Sequence, residues 1–169
     1  MKIQSFPSLS NPKAKVLILG TMPGEMSLAL NEYYGHPRNH FWKLLSTIFN
    51  EPAPAEYALK KEMLQRNGIA VWDVLQACER QGSLDSAIIK EVPNDFTSFL
   101  EAHPSIELIV FNGQKAAAFF KKHVRIDKEY NFVTLPSTSP ANASKSFEQK
   151  LSEWKVIRNC INAASKNAI

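Results

Sequence analysis

The chain has 169 residues, of which 44% are hydrophobic and 21% charged, so a disordered or fibrous protein is excluded and one domain over residues 1–169 is favoured. The formal net charge of +4 suits a partner that carries phosphates, although an ordinary solvated surface explains this charge equally well. No apolar run approaches the roughly 18 residues of a membrane-spanning helix and no apolar leader is present, so we expect a cytoplasmic protein without membrane contact.

Two cysteines, Cys78 and Cys160, lie far apart in the sequence and do not form a CxxC pair. They are too few for a disulfide framework or for a cysteine-held zinc or iron–sulfur site. We therefore expect no metal held by cysteines.

Continuous aliphatic runs predict four strands, which are, in chain order, Lys15–Gly20, Gly68–Asp73, Ile106–Asn112 and Asn131–Leu135. Hydrophobicity that does not alternate is typical of strands covered on both faces. Because helical stretches lie between the strands, the predicted fold is α/β, a three-layer α/β/α sandwich around a central, mainly parallel four-stranded sheet. Ligands bind at the carboxyl ends of such strands, so functional residues are expected just after Leu19, Trp72, Phe111 and Leu135.

Apolar spacing also predicts two amphipathic helices. The first, Pro37–Phe49, places its apolar residues on one broad stripe, with Pro37 at the tolerated first-turn position. The last has Ser144 as its N-cap and spaces five apolar residues by three or four positions, namely Phe147, Leu151, Trp154, Ile157 and Ile161.

The turn after the first strand, Gly20–Gly24 (GTMPG), has two glycines that allow backbone amides to approach a ligand closely. It lacks the GKS or GKT ending of a phosphate-binding loop and the GxGxxG pattern of a dinucleotide-binding turn. These absences argue against an NTPase and a dehydrogenase. An ordinary strand-to-helix turn remains the alternative interpretation.

The segment Tyr33–Trp42 (YYGHPRNHFW) joins two tyrosines to Arg38 and Asn39 in the first turn of the predicted helix. An aromatic platform beside cationic and amide groups at the positive end of a helix would suit a stacked ring, with simple packing as the alternative. His36 and His40 have the i, i+4 spacing of a metal pair, but the Glu of HExxH is missing, so we predict no metal there.

Polar side chains follow the three later strands. Asp73 at the end of the second strand is placed to face the ligand crevice, and it would equally cap a neighbouring turn. Asn112 closes the third strand, or simply starts the next helix. The loop Leu135–Ser144 (LPSTSPANAS) offers backbone N–H and hydroxyl donors to phosphate oxygens, although serine–proline loops are also common connectors.

Five segments together resemble the uracil-DNA glycosylase superfamily, and most closely its hypoxanthine-DNA glycosylase branch. They are GTMPG, YYGHPRNHFW, WDVLQACERQGSLDS, FNG and LPSTSPAN, and the likeness covers nearly the whole chain. HPRNHFW is also similar to the HPxNxFW stretch of the mismatch-specific uracil/thymine branch. The resemblance implies a monomeric, cofactor-free repair enzyme that flips a deaminated base out of DNA and hydrolyses its N-glycosidic bond, which leaves an abasic site.

The resemblance also implies roles for individual residues. Asn39 would be the catalytic residue, since Met22 stands where many branches carry a catalytic Asp or Asn. Eight residues would line the base pocket, namely Gly20, Thr21, Met22, Pro23, Tyr34, Phe41, Asp73 and Asn112. Ten would contact DNA, namely Arg38, Arg80, Ser83, Ser137, Thr138, Ser139, Pro140, Ala141, Asn142 and Lys145.

Ser137 and Ala141 depart from the pattern of other branches, which carry a histidine that stabilises the leaving base and a leucine that fills the emptied stack. In the expected mechanism, Tyr34 and Phe41 sandwich the base, and an ionised Asp73 accepts the N1–H of hypoxanthine, where adenine presents an acceptor. Asn39 would orient the water or hold the departing base, while fixed dipoles stabilise the separating charge.

Three alternatives remain at this point. The same chemistry would act on uracil or mismatched thymine, as the HPxNxFW likeness permits. A DNA-binding module that has lost catalysis is conceivable from Met22 and Ser137, and it would show salt-dependent binding without an abasic product. A small nucleotide- or flavin-binding protein is disfavoured by the absent phosphate loop.

Overall fold

A four-stranded parallel sheet lies at the centre of the structure, a computed structural model that describes residues 2–167, so the expected domain of residues 1–169 extends beyond the described part at both ends. The strands are β1 (Lys2–Gln4), β2 (Val16–Gly20), β3 (Ile69–Asp73), β4 (Leu75–Glu79), β5 (Ile89–Pro93), β6 (Leu108–Asn112) and β7 (Asn131–Leu135). The helices are α1 (Glu25–Leu30), α2 (Phe41–Ile48), α3 (Tyr57–Arg66), α4 (Phe96–Ala102), α5 (Gln114–His123), α6 (Phe147–Trp154) and α7 (Val156–Asn167).

The central sheet has the order β3-β2-β6-β7, and every neighbouring pair of strands is parallel. The chain moves outward from β2 to β3 and then returns to the other side of β2 with β6. The topological switch point therefore lies between β2 and β6, and a ligand crevice is expected outside their carboxyl ends. The four predicted strands and their parallel arrangement are confirmed.

Alternate residues of β2 enter two separate cores, as its continuous hydrophobicity predicts. Val16 and Ile18 pack with residues of α2, α3, α6 and α7, whereas Leu17 and Leu19 pack with residues of α4 and α5. All four side chains are fully buried. The sheet thus has a helical layer on each face, and the predicted three-layer sandwich is confirmed.

A second, antiparallel sheet of order β1-β4-β5 was absent from the sequence prediction. Its strand β4 begins only two residues after Asp73, where the chain passes through the buried Val74 from one sheet into the other. Sequence patterns missed this sheet because β1 has three residues, β5 ends in Pro93, and β1 pairs with a segment more than 70 positions away.

Two predicted helix boundaries were wrong. The first helix begins at Phe41 rather than Pro37, because residues 36–39 form a turn in which the Asn39 N–H donates to the His36 carbonyl oxygen and the Phe41 N–H donates to Asn39 Oδ1. The last helix is interrupted at Lys155, and its capping residue is Ser146 rather than Ser144. Ser146 and Gln149 form a reciprocal capping box that fixes this start.

Candidate active site

A cavity of about 780 Å³ lies at the carboxyl ends of β2, β3, β6 and β7, where the sequence predicts the functional residues. The strand register brings its parts together, because Gly20 is opposite Asp73 and Asn112 is opposite Leu135. This volume is within the usual range of small-ligand pockets.

Most of the predicted site residues line this one cavity. They are Gly20, Thr21, Met22, Pro23, Tyr34, Asn39, Asp73, Ser83, Asn112, Ser137, Thr138, Ser139, Pro140, Ala141 and Asn142. Four predicted residues do not line it, namely Arg38, Phe41, Arg80 and Lys145. Segments more than 100 positions apart therefore meet around one space.

Tyr34 is held at the cavity by its backbone and by its ring. Its φ of 54° is in the left-handed region, which a bulky residue rarely adopts and which costs about 1–3 kcal/mol. The ring stacks on Phe41, with 3.9 Å between ring centroids and 20° between planes. The expected sandwich of a base between Tyr34 and Phe41 is therefore wrong, because Phe41 is fully buried directly behind Tyr34.

Tyr33, the other tyrosine of the predicted platform, packs in the core on the α2 side of the sheet. Its hydroxyl donates toward the backbone oxygens of Phe6 and Pro7, and the side chain is almost fully buried. Burial raises the pKa of Tyr33 far above its usual range. Of the two tyrosines, Tyr34 is therefore the one that offers a ring to a ligand.

Four buried polar atoms have no hydrogen-bond partner within residues 2–167, and they belong to Thr21 (Oγ1), Tyr34 (the hydroxyl), Asp73 (Oδ2) and Arg80 (Nη1). Buried polar groups are nearly always paired, so a cluster of exceptions calls for a specific explanation. Thr21, Tyr34 and Asp73 all line the cavity. A polar ligand that fits between them would satisfy groups that otherwise destabilise the fold by about 1–3 kcal/mol each.

Gly20 leaves room for the floor of the cavity. A Cβ atom at this position would lie 2.7 Å from Asp73 Oδ1 and 2.9 Å from the Tyr34 hydroxyl oxygen, closer than real Cβ contacts allow. We expect Gly20→Ala to displace both side chains, with an overpacking cost of about 1–3 kcal/mol, and to slow at least about tenfold the base release that the resemblance implies.

Gly24→Ala is the matched control, because its Cβ would approach only the Ser83 side chain, with Oγ at 3.4 Å and Cβ at 3.6 Å. Base release should be measured on both variants together with thermal unfolding. Wild-type turnover in the Gly20→Ala variant would show that the floor does not contact the base.

The surroundings of Asp73 favour its neutral acid over the expected carboxylate. Burial and, to a smaller extent, the charge of Asp85 raise the pKa of Asp73 to about 8 against the opposing charge of Arg80. The expectation of an ionised Asp73 is therefore corrected. A protonated carboxyl group both donates and accepts one hydrogen bond, whereas a carboxylate only accepts.

Arg80 lies beneath the site instead of facing DNA. Its side chain is 5% exposed, and it donates from Nε to the Gly82 carbonyl oxygen at 2.8 Å and from Nη2 to the Pro23 carbonyl oxygen at 2.6 Å. The predicted DNA contact is corrected, because both bonds fix Arg80 between the turn after β2 and the segment after β4. It supplies a buried positive charge close to Asp73 and Asp85.

Asn39 lines the cavity through a half-buried side chain. Its Oδ1 accepts a hydrogen bond of 2.9 Å from the N–H of Phe41, and this bond determines which end of the amide is oxygen. The Nδ2 group is therefore the end of the side chain that keeps its donors for a ligand.

Asn112 fixes the loop that follows β7. Its Nδ2 donates to Thr138 Oγ1 at 3.0 Å, and its Oδ1 accepts from the Thr138 N–H at 2.9 Å. Thr138 is almost fully buried, and its carbonyl oxygen accepts from the His40 N–H at 3.1 Å. Asn112 thus connects β6 to this loop and, through Thr138, to the start of α2.

The serine-rich loop after β7 satisfies its own backbone. The N–H groups of Thr138, Ser139, Ala141 and Asn142 donate to acceptors on Asn112 or inside the loop. The expected use of these N–H groups to hold phosphates is therefore corrected. The hydroxyls of Ser137 and Ser139 accept two of these bonds, and their O–H groups can still donate to a phosphate.

Sequence and structure comparisons identify the family. The profile described as "Uracil DNA glycosylase superfamily" matches residues 7–160. The chain belongs to the uracil DNA glycosylase superfamily.

Its relatives within the superfamily match over almost their whole length. Curated proteins of Methanosarcina barkeri and Methanosarcina acetivorans, both named hypoxanthine DNA glycosylase, are 36% identical over 155 residues, which is 91% of this chain and 96% of each relative. A Methanosarcina acetivorans protein solved by NMR and provisionally named a uracil DNA glycosylase is 36% identical, with a TM-score of 0.81 over 95% of this chain and 99% of that chain.

Two predicted DNA contacts of this superfamily member lie outside the cavity. Arg38 is exposed on the turn before α2, and its N–H donates to His36 Nδ1 at 3.1 Å. Lys145 is exposed and pairs with Glu153 at 2.6 Å. Neither position conflicts with a contact to DNA beyond the flipped nucleotide, and both roles stay predictions.

The two histidines that have the spacing of a metal pair, His36 and His40, lie in different surroundings. His36 lines the cavity, whereas His40 Nδ1 lies 3.4 Å from the buried Lys150 Nζ. Across residues 2–167, no group of three or more His, Cys, Asp or Glu side chains is placed to hold a metal ion. In the same part of the chain, no helix is long and apolar enough to cross a membrane.

Sequence reasoning missed Leu84 and Asp85, which line the cavity of this superfamily member beside Ser83. Both lie in the segment between β4 and β5, which reaches the cavity because these two strands pair in the second sheet. Burial raises the pKa of Asp85, as it does that of Asp73. The available signal was the segment WDVLQACERQGSLDS, because Asp73 near its start and Asp85 near its end line the same cavity.

Proposed function

We propose that this chain is a monomeric DNA glycosylase that acts on hypoxanthine, the base formed by deamination of adenine. The observation that carries the proposal is the cavity floor, where Thr21, Tyr34 and Asp73 each have a buried polar atom without a partner among the described residues. The names of the two curated relatives support the same substrate. A base inside a duplex cannot reach such a floor, so the nucleotide must first rotate out, which costs about a few kcal/mol.

A neutral Asp73 complements one edge of hypoxanthine. Its O–H would donate to O6 of the base, and its carbonyl oxygen would accept the N1–H. Tyr34 would stack on one face of the ring, supported from behind by Phe41. The donation to O6 strengthens as negative charge develops on the departing base, so it favours the transition state over the bound substrate.

Asn39 would stabilise the same charge from another side. Its Oδ1 is engaged by Phe41, so its Nδ2 would donate to a ring nitrogen of the departing base. The bond between C1′ and the base nitrogen breaks, and its electron pair leaves with the base. A water molecule then forms the new bond to C1′ of the oxocarbenium-like sugar, and the proton it loses balances the proton gained by the base.

The polar loop after β7 would hold the phosphates beside the flipped nucleotide. Ser137 and Ser139 line the cavity and have hydroxyl donors at its mouth. Phosphate contacts of this kind position the DNA without reading its sequence. The net charge of +4 adds a salt-dependent attraction that brings DNA to this face.

A panel of labelled oligonucleotides tests the proposal. Each duplex carries hypoxanthine, xanthine, uracil, mismatched thymine or unmodified adenine at one position, and alkali after incubation cleaves any abasic site. We expect release of hypoxanthine at least tenfold faster than of adenine or uracil, because adenine forms a poorer leaving group and uracil fills less of the cavity. Binding without any alkali-labile product would identify a DNA-binding module instead.

Uracil and mismatched thymine define the second candidate function. Their N3–H and O4 present the same donor and acceptor pattern to a protonated Asp73, and the related NMR structure is provisionally named a uracil DNA glycosylase. Faster release of uracil than of hypoxanthine in the same panel would favour this candidate.

A further inference from the structure

Leu84 is exposed at the mouth of the cavity. Its relative exposure is 59%, the highest value among the large hydrophobic residues in the part of the chain that the structure describes. It lines the cavity together with Met26, which is 41% exposed. We call these two residues the apolar lip. Leu84 differs from the other strongly exposed aliphatic residues, such as Ile89, in that it lines the cavity.

The segment that carries Leu84 is fixed from two sides. The Ser83 hydroxyl accepts a hydrogen bond of 2.9 Å from the N–H of Glu25, which joins the segment to the start of α1. The Arg80 side chain binds the carbonyl oxygens of Gly82 and Pro23. Leu84 is therefore an exposed side chain on a backbone that hydrogen bonds hold in place. A side chain that inserts between bases needs this combination.

The chemistry of the cavity mouth divides into two parts. The loop of residues 137–142 presents hydroxyl and amide groups, and its two apolar members, Pro140 and Ala141, have shorter side chains than leucine. The apolar lip presents the long aliphatic side chains. DNA has matching chemistry, because phosphates take polar partners while only the faces of unstacked bases take apolar ones.

We infer that Leu84 is the wedge that enters the base stack when the damaged nucleotide moves into the cavity. This inference rests on the proposed glycosylase function and adds a residue that keeps the duplex open. Removing a nucleotide from a stack leaves apolar base faces exposed, and an aliphatic side chain that fills the gap shifts the equilibrium toward the flipped state. Leu84 therefore matters for paired DNA and not for a base that is already unstacked.

The test compares Leu84→Ala on two kinds of substrate. One is a duplex with hypoxanthine paired to cytosine, and the other is the same strand without its complement. We expect Leu84→Ala to lower kcat/KM on the duplex at least about tenfold. On the single strand, kcat/KM should stay within about twofold of the wild-type value, because flipping leaves a gap only in the base stack of the duplex. Leu84→Met, which keeps a long apolar side chain, should restore most of the duplex activity.

Ile89→Ala is the matched control, since Ile89 is 58% exposed on β5 and does not line the cavity. It should leave both activities unchanged. A second readout is the fluorescence of 2-aminopurine placed beside the lesion, which rises on unstacking and should rise less with Leu84→Ala.

An equal loss of kcat/KM on both substrates would overturn the inference, because it would indicate that Leu84 contacts the base itself. An unchanged kcat/KM on the duplex would also overturn it. Absence of base release by the wild-type chain from either substrate would instead refute the proposed function.

Discussion

Replacing Asn39 with alanine is expected to slow base release about a hundredfold to a thousandfold while DNA affinity changes little. The reason is the fixed Nδ2 donor, because an oriented dipole that meets developing charge in a buried site commonly contributes this much. The contribution is absent from the ground state, so binding does not report it. Single-turnover kinetics and a filter-binding isotherm on the same lesion duplex measure the two quantities separately.

The control must separate chemistry from folding, since Asn39 Oδ1 also accepts the Phe41 N–H at the start of α2. Loss of that bond costs about 1 kcal/mol in stability. Asn39→Ser keeps a side-chain oxygen that can accept the same bond, but it lacks the amide donors. We expect Asn39→Ser to unfold near the wild-type temperature and still to release base slowly. Wild-type turnover in either variant would remove Asn39 from the mechanism.

The rate of base release should fall about tenfold per pH unit above pH 8. The pKa of Asp73 is raised to about 8, so the acid is protonated below this pH and becomes a buried carboxylate above it. A carboxylate cannot donate to O6, and its charge repels the negative charge on the departing base. The pH dependence of kcat/KM reports this group in the free enzyme.

Asp73→Asn is the decisive comparison, because an amide keeps one donor and one acceptor without a titrating proton. This variant should retain most of its activity at pH 7 and lose the fall above pH 8, and the substrate contributes equally to both profiles. Asp85→Asn should move the fall to lower pH, since the charge of Asp85 raises the pKa of Asp73. Two identical profiles for wild type and Asp73→Asn would contradict a neutral acid in the floor.

Stability provides an independent check on the same group. A carboxyl with a usual pKa of 3.8 in the unfolded chain and about 8 in the folded one binds its proton more tightly when folded. Its contribution to the free energy of unfolding is complete below about pH 4 and is lost as the pH rises to about 8. Asp73→Asn should therefore unfold at a higher temperature than wild type at pH 8, with a smaller difference at pH 4.

The sequence predicts the central sheet well because its strands are short runs rich in aliphatic and β-branched residues, and β2, β3 and β6 are covered on both faces. This pattern has few alternatives, and the carboxyl ends of β2, β3, β6 and β7 locate the site. The second sheet depends on pairing between Lys2–Gln4 and Leu75–Glu79, which no local pattern specifies. The start of α2 also escaped prediction, since side-chain bonds of His36 and Asn39 replace the first helical turn.

Most of the predicted site residues line the cavity, whereas the surroundings of several differ from those expected. Tyr34, Asn39 and Asp73 line the cavity as expected. The predictions for Phe41 and Arg80 were wrong because both side chains are buried by tertiary packing, which the residue type alone does not reveal. The protonation of Asp73 was mispredicted for the same reason, since desolvation and the neighbouring Asp85 exist only in the folded chain.

The passage from β3 to β4 through Val74 has a consequence for reading mutational screens. Asp73 belongs to one sheet, while Arg80 and Asp85, whose charges act on it, follow a strand of the other. A substitution that shifts the packing of the buried Cys78 would move those charges relative to the acid, far from any DNA contact. Such remote alleles would score as losses of catalysis with an altered pH optimum, and a geneticist would mistake them for lesions in the catalytic pocket.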